Sequence, residues 1–143
     1  MPASTGFTGR GAYLNLGDGG SPTLLAQVAN VVSIAIGGRT AEEIDFTHLL
    51  SVGGYREFRQ GFKDAGTLTM TLQFNPAEAT HASIEDLLGS GNVVPFEVVI
   101  PNGNAKLVGD GYIQGSDINI TVSDPVTAEV TLRITGPLDI QPA

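Results

Sequence analysis

The sequence predicts a mainly β fold, an antiparallel β-sandwich or barrel flanked by one α-helix, and three observations carry that prediction. Nineteen glycines and eight prolines cluster between short runs of β-branched residues, the punctuation expected of strands joined by turns. TLTMTLQF (67–74) and AEVTLRIT (128–135) alternate strictly between apolar and polar, which gives each strand one buried and one wetted face. A single segment, PAEATHASIEDLLGSGN, breaks the alternation and carries helix signals. At 143 residues the chain can bury roughly two-thirds of its unfolded surface in one core without metals or staples.

Residues 1–12 show little periodicity and are expected as a flexible N-terminal arm, leaving 13–143 as a single domain. GDGGS (17–21) reads as a loop. Strands are expected at 26–36 and 43–50, then a loop over 51–63. In the strand that follows, Leu68, Met70, Leu72 and Phe74 face one way and Thr67, Thr69, Thr71 and Gln73 the other. Asn75-Pro76 introduces a helix over 77–88, packed by Ile84, Leu87 and Leu88 and stopped by Gly89. Further strands are expected at 96–100, 106–112 and 114–122, with Gly109, Gly111 and Gly115 marking bends or bulges. In the last strand Val130, Leu132 and Ile134 oppose Glu129, Thr131, Arg133 and Thr135.

Composition narrows function. Fifteen acidic against seven basic residues give a net charge of -8, which argues against a surface that grips nucleic acid phosphates. With no cysteine, neither a disulfide framework nor a thiolate metal site is possible. MPASTGFTGRG lacks a basic start followed by an apolar stretch, so no secretory leader is expected, and the NIT triplet at Asn119 carries no glycosylation argument. The longest apolar stretch, VANVVSIAI, is about half the length of a membrane-spanning helix, so a soluble chain without membrane insertion is expected.

Nothing in the chain points to catalysis, a metal or a cofactor. The two histidines, His48 on an expected strand and His81 in the expected helix, read as surface or capping residues. A G-x-S-x-G elbow, a phosphate-loop lysine and a calcium-loop carboxylate pattern are all missing. GDGGS and GSGN lack the strand-then-helix setting of a phosphate cradle. The acidic pairs Glu42–Glu43 and Glu85–Asp86 read as solvated faces, with nothing nearby to raise a carboxyl pKa.

The informative stretch is GGYREFRQGFKDAG. Tyr55, Phe58 and Phe62 crowd together, and Arg39, Arg56, Arg59 and Lys63 hold most of the positive charge. One reading is a locally balanced loop, with Glu42, Glu43, Asp45, Glu57 and Asp64 as counter-charges and the aromatics folded onto their own domain. The other is a contact surface for another copy of the chain. Burying each large apolar side chain contributes about 1.5–3 kcal/mol, so something should cover all three. A basic, aromatic loop on an acidic body suits head-to-tail assembly, where the two contacting surfaces differ.

The run YREFRQGFKDAGTLTMTLQFNP, a helical segment ending LLGSG, then PFEVVIP and a closing DPVTAEVTLRITG resemble the major tail tube proteins of long, non-contractile-tailed bacteriophages over residues 25–140. The resemblance implies kinship in fold with contractile-tail tubes and the Hcp tubes of type VI secretion. It further implies six copies per ring, rings stacked head to tail, and an inner sheet joining neighbours into a barrel around a DNA channel. Expected partners are other copies of the chain, a tape-measure protein, a tail terminator and distal tail proteins. The expected location is the virion tail, assembled in the bacterial cytoplasm.

On this sequence the inter-ring contacts would be Tyr55, Arg56, Phe58, Arg59, Phe62 and Lys63, on a protruding loop at 51–63. Lumen-facing candidates are Thr67, Thr69, Thr71, Gln73, Glu129 and Thr131. The immunoglobulin-like domain that follows the tube domain in some relatives is not expected here. A secretion-type tube, a terminator ring and a monomeric ligand-binding barrel remain alternatives.

Overall fold

The structure, a computed structural model, describes residues 6–17 and 25–142. Among these residues lie nine strands and one helix: β1 (Tyr13–Gly17), β2 (Leu25–Gln27), β3 (Val31–Gly37), β4 (Thr40–Asp45), β5 (Phe58–Asp64), β6 (Thr67–Gln73), α1 (Ala79–Ser90), β7 (Val94–Ile100), β8 (Ala105–Asn119) and β9 (Thr127–Pro142). Seven form one antiparallel sheet in the order β2-β1-β7-β8-β9-β6-β3, while β4 and β5 pair only with each other. The fold is mainly β with a single helix, as the alternation predicts.

Both alternating strands behave as read. Leu68, Met70 and Leu72 of β6 and Val130, Leu132 and Ile134 of β9 are buried, paired in register from Thr67↔Arg133 to Gln73↔Thr127. Leu14, Leu16, Phe96, Val98, Ile84 and Leu87 complete the same core from β1, β7 and α1. β2 and β3 occupy opposite edges of the sheet, yet only residues 28–30 connect them. So short a connector spans about 14 Å at most, so the sheet curls until its edges nearly meet. The curl wraps the core like an open barrel. Val28 pins the crossing, buried and donating its N–H to the Leu14 carbonyl at 2.8 Å.

Several boundaries differ from the expectation, for local reasons. The strand expected over 26–36 is split because Asn30 turns left-handed, φ 60°. The strand expected over 43–50 is instead 40–45, ended where the Asp45 carboxylate accepts the Thr47 N–H. Strands expected at 106–112 and 114–122 are one continuous β8, with register shifts at Val108/Asp110 and Ile113/Gly115. Gly109 and Gly115 bend the strand without breaking it. Gly111 sits in regular pairing, where a Cβ would press into Leu132 and the Arg133 carbonyl.

The helix begins and ends two residues later than expected. Asn75 spends its side chain on the Ala77 N–H in a preceding turn, and Gly91 takes the left-handed C-terminal position, φ 71°, instead of Gly89. Of the arm expected over 1–12, residues 1–5 lie outside the described residues, as does most of GDGGS. The Asn102 side-chain amide donates to the Thr8 and Arg10 carbonyls. Strands β1 and β5 were not expected at all.

His81 is a correction. It is 1% exposed, stacked on Phe74 with ring centroids 5.9 Å apart. Its Nδ1 accepts the Asn75 N–H at 3.0 Å and its Nε2 donates to the Ala29 carbonyl at 2.7 Å. The ring is thus a tie between the helix and two loops, neither a surface residue nor a cap.

Candidate assembly surface

The strands β4 and β5 form a ribbon that stands off the main sheet. Every residue of β4 and most of β5 are exposed. The ribbon meets the body at its base, where Arg133 Nη2 donates to Asp64 Oδ2 at 2.6 Å and the Ile134 N–H to the Gly66 carbonyl at 3.1 Å. That arginine bond, and then the Gly66 N–H on the other oxygen, hold the Asp64 carboxyl below the usual carboxylate range. Gly66 takes φ 86°, and a Cβ there would collide with the Gly37 carbonyl. The base is therefore a rigid mount.

At the far end, residues 46–57 fold on their own hydrogen bonds. Phe46 N–H donates to the Glu57 carbonyl and Glu57 N–H to Thr47 Oγ1, each at 2.8 Å. His48 was expected on a strand but lies in this turn, its Nδ1 accepting the Leu50 N–H and its Nε2 facing the Glu57 carboxylate at 3.3 Å. Ser51 Oγ donates to the same carboxylate. The Thr47 hydroxyl and amide, and more weakly the Arg56 charge, hold Asp45 below its ordinary carboxylate range. The polar groups satisfy one another inward. Most of the apolar ones face water.

Tyr55 is 78% exposed and Phe62 88%, while Phe58 is half exposed. The aromatics do not fold onto their own domain. The structure adds residues that the sequence reading missed: Leu49, Leu50 and Val52 at the tip, with Leu49 fully exposed, and Ile44 and Phe46 on the ribbon. Leu49 and Leu50 were hidden by their assignment to a strand, where alternate burial is the default reading.

The six contact candidates divide. Phe58 pairs with Asp45 and Lys63 with Ala41, so these two share one ribbon face, while Arg59, paired with Ile44, lies on the other; the register shift between Ala41 and Glu43 falls at Gly61 and Phe62. The Arg59 guanidinium covers the Phe46 ring at 5.0 Å and Arg56 Nη1 reaches Asp45 Oδ2 at 3.5 Å. Among the described residues no ion pair involves Arg39 or Lys63.

The other candidate set is brought together on one sheet face. Thr69 pairs with Thr131 and Thr71 with Glu129, flanked by Thr67 and Gln73, all opposite the buried side chains. Ser33 and Ala35 of β3 extend this polar face on one side, Asp117 and Asn119 of β8 on the other. Among the described residues no cluster of three or more metal-binding side chains occurs, and no helix is long and apolar enough to cross a membrane.

Comparison with known proteins gives this arrangement a family. Residues 8–140 match the lambda phage tail tube protein family. The chain belongs to the lambda phage tail tube protein family. Its fold is shared with the tail of an empty gene transfer agent particle, refined helically in C6 symmetry: TM-score 0.76, 21% identity, covering 95% of this chain and 99% of that one. The tail tube of SPP1 matches at TM-score 0.72 and 17% identity, over 96% of this chain and 80% of that one. A sheath–tube complex of an extracellular contractile injection system matches at 0.70 and 12% identity, over 92% and 88%. A search of curated proteins finds no match. A tail tube family member is a structural protein, not an enzyme.

Proposed function

We propose that this chain builds the tail tube of a phage or phage-like particle, six copies closing a ring and rings stacking head to tail into a conduit for DNA. The observation that carries the reading is the ribbon: a tail tube family chain holds its aromatics and leucines off its own core on a rigid mount. The C6 symmetry of the gene transfer agent tail supports the count of six. On this reading Tyr55, Arg56, Phe58, Arg59, Phe62 and Lys63, with Leu49 and Leu50, contact the next ring. Six simultaneous contacts make an individually weak one, about 1 kcal/mol, substantial per ring.

The polar face of β6 and β9 would line the channel, with Thr67, Thr69, Thr71, Gln73, Glu129 and Thr131 toward the DNA. Hydroxyls and carboxylates there offer phosphates no cation to bind, and Arg133 is already engaged by Asp64. Repulsion by the wall reaches about 8 Å in physiological salt. Tape-measure, terminator and distal tail proteins would complete the assembly in the host cytoplasm.

Negative-stain microscopy and sedimentation across a concentration series test the reading. Hollow tubes with sixfold end views are expected, and Tyr55→Ala with Phe58→Ala should leave folded subunits that do not stack. A monomer that persists at every concentration would overturn it. A sheath-enclosed tube is the second reading, favoured by the contractile system's shared fold, and binding of a sheath protein to preformed tubes separates the two.

A further inference from the structure

We propose that the receiving surface for the ribbon tip is the turn between β8 and β9 on the copy in the adjacent ring, an inference that rests on the tube reading above. Register locates the two surfaces. The ribbon leaves the sheet where Thr67 pairs with Arg133, and the β8–β9 turn lies where Thr127 pairs with Gln73 on one side and Asn119 on the other. Six residues of strand separate these ends, about 20 Å, so they are opposite poles of the sheet. Head-to-tail stacking brings opposite poles of successive copies together.

The turn pole is firmly built. Phe74 N–H donates to the Val126 carbonyl at 2.8 Å, tying the end of the turn to the residue after β6, and Gln73 N–H donates to the Asn30 carbonyl at 2.9 Å, tying β6 to the residue before β3. On this frame Ile118, Ile120 and Val122 are exposed, Val122 fully. Ile118 points to the core face of the sheet, paired beside buried Ala128, yet is itself 46% exposed. The segment DINITVSDPVTAE holds Asp117, Asp124 and Glu129 and no base, and Asp117 lies directly across from Glu129. Like charges opposed across a strand pair are unfavourable until a cation joins them.

The ribbon tip offers apolar Leu49, Leu50, Val52 and Tyr55 with Arg56 and Arg59 behind them, Glu57 being engaged by Ser51 and His48 and Asp45 by Arg56, while Glu42, Glu43 and Lys63 lie farther toward the base. A second copy of this chain supplies both halves of the contact, its apolar tip for the apolar turn and Arg56 and Arg59 for Asp117 and Asp124.

The chain contains no cysteine, so introduced pairs report without background. Tubes of Tyr55→Cys/Val122→Cys treated with a short bis-maleimide should give a covalent ladder of many chains on denaturing gels, and either single variant should give none. Leu50→Cys/Ile120→Cys repeats the test at independent positions. In parallel, Asp117→Lys/Asp124→Lys should lose sedimenting tubes, and added Arg56→Glu/Arg59→Glu should restore them. Normal tubes without ladders from either pair, and without charge rescue, overturn this inference and leave the tube reading standing. Failure of the natural chain to form tubes overturns both.

Discussion

Replacing Gly66 by alanine tests whether the ribbon is rigidly mounted. At φ 86° an alanine incurs the left-handed penalty, about 1–2 kcal/mol. Its Cβ also meets backbone, the Gly37 carbonyl and the Gly38 carbonyl carbon, which cannot swing aside as a side-chain end would. Forcing such a shift costs a further ~1–3 kcal/mol. Stiffening of the unfolded chain offsets about 0.4–1 kcal/mol, leaving a net loss of roughly 2–4 kcal/mol. Gly54→Ala is the control, because Gly54 has φ 72° but open space around its Cβ. It should cost only about 1 kcal/mol. Urea unfolding, at concentrations where sedimentation shows monomer, reads the difference as a larger fall in midpoint for Gly66→Ala at unchanged slope. Equal falls for the two variants would refute the mount.

Three further outcomes follow from buried or paired groups. Ser116 Oγ is buried beside α1 with no hydrogen-bond partner among the described residues, so Ser116→Ala should be neutral or stabilising by up to about 1 kcal/mol, read as a rise in Tm. His81→Ala strands the Ala29 carbonyl and the Asn75 N–H and loses the stack on Phe74, so thermal melts should show a loss of about 2–4 kcal/mol. Because the folded-state pKa of Asp64 is depressed, its stabilisation is present above the ordinary carboxylate range and is lost as pH falls through the depressed value. Acid unfolding below about pH 4 should therefore lose this component in the natural chain and not in Asp64→Asn, while Asp64 contributes no pH dependence between pH 5 and 7.

The core was legible because alternation encodes one-sided burial, and β6 and β9 are buried on one side along their central lengths. The ribbon was not, for the converse reason. FRQGFKD pairs with TAEEID through the backbone alone, and a ribbon bathed on both faces selects no periodicity that would mark it as strand. β1 escaped notice because YLNLG is only five residues, with two alternating leucines. His81 was misjudged because its partners, the Ala29 carbonyl and the Asn75 amide, come from backbone that only tertiary folding brings together. The polar face of β6 and β9 was visible from the sequence, since a wetted face is the other half of the same alternation.

The same contrast explains how one chain can be stable alone and still assemble. The core that holds the body together includes no residue of the ribbon or of the β8–β9 turn, so neither surface is needed to fold. Their apolar side chains are exposed in the single copy, and burying even a few of them contributes several kcal/mol, yet one contact must first overcome the cost of immobilising a subunit. A net charge of -8 adds repulsion between bodies that salt screens. If the chain assembles as proposed, isolated pairs are therefore disfavoured, while a subunit arriving at a complete ring meets its full contact set at once. On the tube reading, growth from a preformed ring is favoured over aggregation in solution because exposed apolar groups gather at opposite poles of the sheet, on the ribbon tip and on the β8–β9 turn.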